Sequence, residues 1–283
     1  MTVLVAAAVL IAAVTHASWN ALAHTIKDQL VAFTLIVGGA AVIGAVAACF
    51  APLPKAGAWP YLVASALLHV GYQALLMRSF SLGDFGQMYP IARGTAPMVV
   101  TALAAVFVGE TLNRWQLAGV ALASVGLVGV ALWGIRGSGS VPHWPALLAA
   151  LATGLSIAAY TVVDGVGVRA SGTPVGYIAW LMVLEGILVP WYAFRVHRGE
   201  LLRKLRPYAA RGAVGAVLSI SAYGLILWAQ TRAPLAPVAA LRESSIIVGA
   251  AIGALFFKER FGGPRIAAAG LMVVGIGLML RAS

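Results

Sequence analysis

Long apolar stretches separated by short polar breaks run along the whole of this chain. Each stretch has about twenty residues, the length that an α-helix needs to cross a hydrocarbon core of about 30 Å. Breaks at Gly, Pro and charged residues predict about ten spans, at residues 3–23, 30–50, 59–80, 86–108, 115–133, 144–163, 175–194, 212–230, 234–257 and 265–280. The pattern predicts an all-α membrane protein, and the first run is expected to be a retained span rather than a cleaved signal.

Composition supports a membrane protein and argues against nucleic acid as a partner. Hydrophobic residues make up 61% of the chain and charged residues only 10%, whereas roughly a quarter of residues are charged in soluble proteins. The net charge is +11, but the basic residues lie mostly in short connections, where they act as anchors at a membrane surface. The single cysteine, Cys49, and the lack of Cys/His clusters at ligand spacing predict no disulfide, metal or cofactor.

The second half of the chain repeats the first in register. Arg93 falls on Arg242, Glu110 on Glu259, and Gly126 on Gly275. We therefore predict two five-helix units, residues 1–133 and 143–283, joined by a Gly/Ser-rich linker at 134–142. Because each unit has an odd number of spans, the second must enter the membrane from the opposite side, which is typical of alternating-access transporters.

Several motifs give the two halves a family resemblance. They are the charged breaks at 109–110 and 258–260, each before a Gly/Ala-rich helix, the run HASWN at 16–20 and the run YPIARG at 89–94. Each half resembles an EamA domain of the drug/metabolite transporter superfamily. The resemblance implies a ten-helix bundle in a bacterial cytoplasmic (inner) membrane that moves small metabolites through a central cavity.

The sequence constrains the orientation in the membrane and the oligomeric state less than it constrains the fold. The connections after odd-numbered spans hold most of the basic residues, which would place both termini outside the cell. The family resemblance implies both termini in the cytoplasm, and a basic stretch at 195–211 can be an interfacial segment, so the orientation stays open. A closed ten-helix bundle needs no second subunit, and a monomer is expected.

Two arginines inside spans are candidates for substrate binding. Arg93 follows Tyr89 by one helical turn, so both side chains can face the same space, and Arg242 is the repeat-mate of Arg93. Paired guanidinium groups favour an anionic or carboxylate-bearing substrate. The alternative is that each arginine pairs with an internal carboxylate, Glu185 or Glu243, and holds helices together.

Two helical faces combine a histidine, an aromatic ring and an amide. They are His16, Trp19 and Asn20 on the first span and His69, Tyr72 and Gln73 on the third. Such groups can line a cavity with stacking surfaces and a few oriented hydrogen bonds. Alternatively, the amides join helices and each histidine is a satisfied core residue.

Acidic residues inside spans are candidates for proton coupling. Glu185 lies midway along the seventh span, and Asp164 follows Tyr160 by one turn near the end of the sixth. Asp164 can instead lie at the interface beside Arg169. Glu110 and Glu259 are expected to set helix ends. Small residues at 119, 123, 126, 270 and 275 are expected to permit close packing of the fifth and tenth spans.

These features predict a secondary transporter of a small molecule rather than an enzyme. No Gly-x-x-x-x-Gly-Lys-Ser/Thr sequence for ATP binding occurs. The alternatives are a membrane-embedded sensor or scaffold and an intramembrane lipid-modifying enzyme using His16 or Asp164. Internal arginines favour an anionic or zwitterionic substrate, while the Trp and Tyr content equally suits an aromatic or amphipathic compound. Substrate, direction and coupling ion stay open.

Overall fold

The computed structural model describes residues 1–82, 85–137, 144–256 and 263–281. Within these ranges the chain is α-helical with short 3₁₀ and π segments. The helices are α1 Val3–His24, α2 Gln29–Phe50, α3 Trp59–Leu82, α4 Phe85–Leu103, α5 Arg114–Gly137, α6 Trp144–Ser171, α7 Pro174–Glu185, α8 Leu188–His197, α9 Leu201–Leu205, α10 Ala209–Gln230, α11 Leu235–Arg242, α12 Ser245–Phe256 and α13 Gly263–Arg281.

Polar side chains at the breaks start several helices. Thr2 accepts a hydrogen bond from the amide of Val5 at the start of α1, and Asp28 accepts from two amides at the start of α2. Thr173 accepts from Gly176 in the first turn of α7. These caps satisfy amides that have no partner inside the helix, which is why the chain can turn back at these places.

The apolar helices fit a lipid surround. Among the described residues, five segments are long and apolar enough to cross a membrane: Val3–Ala23, Gln29–Phe50, Ile91–Val108, Trp144–Ser171 and Pro174–Gln230, the last of which joins α7 to α10. Large apolar side chains such as Val42, Leu67 and Leu155 are exposed on the outside of the bundle. A helical bundle with an apolar exterior is an integral membrane protein of the all-α class.

Two spans that the sequence predicted as continuous are broken. The predicted seventh span is divided between α7 and α8 at Gly186, because Pro190 lacks the amide that would donate to the Gly186 carbonyl. The predicted ninth span is divided between α11 and α12 at Glu243 and Ser244. The amides of Glu243 and Ser244 donate to carbonyl oxygens three residues back, those of Ala240 and Leu241, as in a 3₁₀ turn.

The main helix contacts join the first half of the chain to the second. α1 packs against α10, α2 against α7, α3 against α6, and α5 against α13. A Cβ atom added at Gly119 would lie 2.5 Å from the carbonyl oxygen of Gly275, and one at Gly275 would lie 2.7 Å from that of Gly119. The predicted close packing of small residues is therefore present as backbone contact between α5 and α13 at Gly119 and Gly275, whereas a Cβ atom added at Gly270 would meet nothing within 4 Å.

Candidate functional site

Buried polar side chains in the bundle interior come from both halves of the chain. They form three groups, defined below: an arginine cluster, an aromatic cluster and two separate carboxyl groups. The elements that carry them are α3, α4, α6, α7, α10 and the α11–α12 break. A buried polar side chain without a partner costs free energy. The contacts inside each group therefore show which donors and acceptors the protein already uses and which are left for a ligand.

The arginine cluster consists of Arg93, Arg242 and Glu243. Arg93 is 2% exposed, and its Nε lies 2.8 Å from Glu243 Oε2, while its Nη2 donates to Ser245 Oγ at 3.3 Å. Arg242 Nε lies 3.6 Å from Glu243 Oε1. The ion pair considered from the sequence is thus present between Arg93 and Glu243. Glu185, the other carboxylate considered, contacts Gln73 instead.

Arg242 is the less engaged of the two arginines. It is 4% exposed, and among the described residues its Nε and Nη2 find no hydrogen-bond acceptor. Its Cζ lies 6.0 Å from the ring centroid of Tyr160, a distance at which cation–π attraction operates. The guanidinium therefore retains donor capacity towards the aromatic part of the interior.

The aromatic cluster consists of His69, Tyr72, Tyr160 and Tyr223. His69 stacks on Tyr160 with ring centroids 4.0 Å apart and meets Tyr223 edge to face at 5.5 Å. Tyr72 also meets Tyr160 edge to face at 5.5 Å. These rings from α3, α6 and α10 are mostly inclined to one another and form an aromatic wall with polar edges.

The Nδ1 atom of His69 has two possible partners within its own helix. It lies 3.2 Å from Ser65 Oγ and 3.0 Å from the Ser65 carbonyl oxygen. A protonated Nδ1 would donate to the carbonyl, and an unprotonated Nδ1 would accept from the Ser65 hydroxyl, so either tautomer has a partner there. The histidine is thus held in place as part of the aromatic cluster.

Asp164 is completely buried inside the bundle. One carboxyl oxygen accepts from Tyr177 Oη at 2.9 Å and the other from Tyr223 Oη. The sequence predicted the end of this span at 163, and α6 continues to Ser171. Tyr177 and Tyr223 were not predicted as partners of Asp164, because they lie on other helices without any local spacing to it.

Glu185 contacts the third span rather than an arginine. Gln73 Nε2 donates to Glu185 Oε1 at 3.1 Å. Its other oxygen, Oε2, is buried and accepts no hydrogen bond from the described residues. Gln73 on α3 and Glu185 on α7 were separate candidates in the sequence, and they are in contact in the structure.

The α1 candidates make contacts mainly within their own helix. Trp19 Nε1 donates to His16 Nδ1 at 3.3 Å, and Asn20 Nδ2 donates to the His16 carbonyl at 2.8 Å. His16 also lies within electrostatic range of Arg93 and Arg242. The side chain of Tyr89 and the whole of Glu259 lie outside the described residues.

A further set of polar contacts, which we term the end clasp, links the halves at one end of α6. Arg169 Nη1 lies 2.7 Å from Glu110 Oε1, and Glu110 Oε2 accepts from the Leu235 amide at 2.7 Å. Arg169 also donates to the carbonyl oxygens of Gln230 and Ala233. Glu110 was predicted only to set a helix end, whereas the structure has it joining the end of the α4 region to α6 and α11.

Comparison with known proteins gives a family match over part of the chain and a shared fold. Residues 144–281 match the family described as "EamA-like transporter family". No curated protein matches this sequence. A solved structure titled "Crystal structure of protein" superposes with a TM-score of 0.72 at 17% sequence identity, covering 100% of this chain and 98% of that one. That likeness establishes a shared fold alone.

Proposed function

We propose that the protein is a secondary transporter that moves a small metabolite or drug-like solute across a bacterial inner membrane, a proposal supported by the match of residues 144–281 to the family described as "EamA-like transporter family". The observation that carries the proposal is the polar and aromatic interior built from both halves of the chain. Its groups are enclosed within an apolar bundle, where ionisable residues normally serve transport or internal pairing.

We propose alternating access as the mechanism, with one five-helix half rocking against the other. Two observations support it. The helix contacts that hold the bundle run mainly between the halves, so movement of one half against the other would change access to the interior. The break between α11 and α12 lies at the arginine cluster, and discontinuous helices at the binding site are typical of secondary transporters.

In this mechanism the end clasp holds one end of the pathway closed. Glu110 comes from the first half, and its partners Arg169 and Leu235 come from the second. The Glu110 side chain is 15% exposed and the Arg169 side chain is 31% exposed. Water can therefore replace their hydrogen bonds when the halves separate. The arrangement favours a reversible contact rather than a fixed core pair.

The proposed substrate pathway is lined by the side chains singled out from the sequence, namely His16, Trp19, Asn20, His69, Tyr72, Gln73, Tyr89, Arg93, Tyr160 and Arg242. The stacking of His69 on Tyr160 and the cation–π contact of Arg242 with the same ring support a common site for α3, α6 and α11. Sites of this kind combine apolar and aromatic walls with a few oriented polar groups.

We propose Glu185 as the carrier if protons drive transport. Both oxygens of Asp164 accept hydrogen bonds from tyrosines, which holds that carboxylate in place. Glu185 has only one oxygen engaged, by Gln73, and its position at the end of α7 borders the break before α8. A carboxyl group with a spare oxygen at a helix break can accept and release a proton without breaking a network.

The test is uptake of a pooled metabolite mixture by proteoliposomes, with and without pH gradients of either sign. A gradient is expected to stimulate uptake by the wild type, and Glu185→Gln to reduce that stimulation by about tenfold or more, because glutamine keeps the size of the side chain but cannot change charge. Glu200→Gln, at an exposed pair with Arg203, is the matched control and should behave as the wild type.

The possible results of this uptake test distinguish proton coupling from transport itself. Uptake that ignores the gradient, or that responds to it equally in Glu185→Gln, would remove proton coupling and leave transport. Absence of uptake of any solute by folded protein would remove transport and favour the sensor or enzyme alternatives.

A further inference from the structure

We propose that the arginine cluster binds one monoanionic group, a carboxylate carried on a flat apolar body, and that Arg242 is the residue that holds it. This inference names the substrate class of the transport site and rests on the proposed function for the statement that the bound compound is also transported. Binding itself can be measured without transport.

The charges within the cluster leave an excess of one positive charge. Arg93 and Arg242 each carry one positive charge, and Glu243 carries the one negative charge that lies against both. The side chains of all three are at most 5% exposed, so water does not compensate the excess. The nearby carboxyl groups have other partners, since Asp164 is held by tyrosines and Glu185 by Gln73.

The contacts assign different roles to the two arginines. Arg93 is used by the protein itself, because it pairs closely with Glu243 and donates to Ser245. Arg242 is farther from the shared carboxylate, and its Nη2 has no acceptor among the described residues. A carboxylate can take two parallel hydrogen bonds from a guanidinium, so a ligand carboxylate would satisfy Arg242 and neutralise the cluster.

The surroundings of Arg242 define the rest of the ligand. The ring of Tyr160 lies beside the guanidinium, and the other members of the aromatic cluster extend away from it. A flat apolar body next to the carboxylate would therefore lie against aromatic rings. A second negative charge would leave the site negative, and an ammonium group would face the excess positive charge.

The direct test compares four compounds with one phenyl scaffold and different charge: 3-phenylpropionate, phenylsuccinate, phenylalanine and phenethylamine. Each is added to the purified wild-type protein, and the thermal unfolding temperature and the uptake into proteoliposomes are measured. We expect 3-phenylpropionate, the monoanion, to raise the unfolding temperature most and to be taken up fastest. This series needs no variant, so it decides the proposal even if a substitution disturbs folding.

The variant test uses Arg242→Gln, which keeps the polar side chain and removes the excess charge. Binding of 3-phenylpropionate should weaken at least tenfold, while the unfolding temperature without ligand should be unchanged or higher, because an uncompensated buried charge is gone. A merely structural arginine would give the opposite stability result. Arg232→Gln is the matched control, since Arg232 is exposed and stacks over Trp228 at 4.7 Å.

Several results would overturn the proposal. They are equal or stronger stabilisation by phenylalanine, phenylsuccinate or phenethylamine, no stabilisation by any of the four compounds, and wild-type binding by Arg242→Gln. Binding of 3-phenylpropionate without uptake would support the anion site and count against transport. Uptake of other solutes that is unaffected by Arg242→Gln would support transport and count against the anion site.

Discussion

Replacement of Glu243 by glutamine is expected to lower the free energy of unfolding by about 3–5 kcal/mol, because it leaves two buried guanidinium groups without their counter-charge. Glu243 is the acidic partner of both Arg93 and Arg242, and its side chain is 1% exposed. At this size of protein the change corresponds to a fall of about 10 °C in the thermal unfolding temperature in detergent.

Glu200→Gln is the control for that experiment. It removes the same charge from a pair with Arg203 whose nitrogen and oxygen are 2.9 Å apart, but whose side chains are 59% and 78% exposed. Exposed pairs contribute about 0–1 kcal/mol, so this variant should unfold close to the wild-type temperature. Equal unfolding temperatures for the two variants would show that Glu243 does not hold the cluster together.

The second large effect is expected at the contact between α5 and α13. Gly119→Ala would place a Cβ atom 2.5 Å from the Gly275 carbonyl oxygen and 2.6 Å from Met279 Cγ. The backbone cannot yield as a flexible side chain would, so the two helices must separate. We expect a loss of about 2 kcal/mol, within the range for overpacked sites, measured as a lower unfolding temperature.

Gly277→Ala tests whether that loss comes from the contact rather than from alanine itself. Gly277 lies on the same helix as Gly275, and a Cβ atom there would meet nothing within 4 Å. Alanine is favoured over glycine in a helix by about 1 kcal/mol, so this variant should be as stable as the wild type or more stable. A Gly119→Ala protein as stable as Gly277→Ala would contradict the close packing.

The sequence predicted the helices well where a local pattern sets them. Apolar runs of the length of a bilayer crossing become helices because the membrane demands internal hydrogen bonding of the backbone, and polar residues such as Asp28 and Thr173 begin new helices at the breaks. Small residues spaced along the fifth and tenth spans likewise predicted close packing, since that property belongs to each helix face by itself.

Features that depend on distant partners were not predictable in this way. The break between α11 and α12 coincides with bonds to Arg93, a residue on another helix. Asp164 was a candidate for proton coupling, with a position at the interface beside Arg169 as the alternative, and its hydrogen bonds with Tyr177 and Tyr223 depend on positions in three dimensions. Gln73 and Glu185 were each selected from the sequence, but their pairing follows from the packing of α3 near α7.

We propose above that the protein is a carrier whose interior site faces one side of the membrane at a time. Solute counterflow tests it most directly: proteoliposomes are loaded with an unlabelled compound taken up in the metabolite screen, and entry of the same labelled compound is followed. Alternating access predicts that internal compound accelerates entry and drives transient accumulation of label. Entry that is not accelerated by internal compound and never exceeds equilibration would contradict the carrier mechanism.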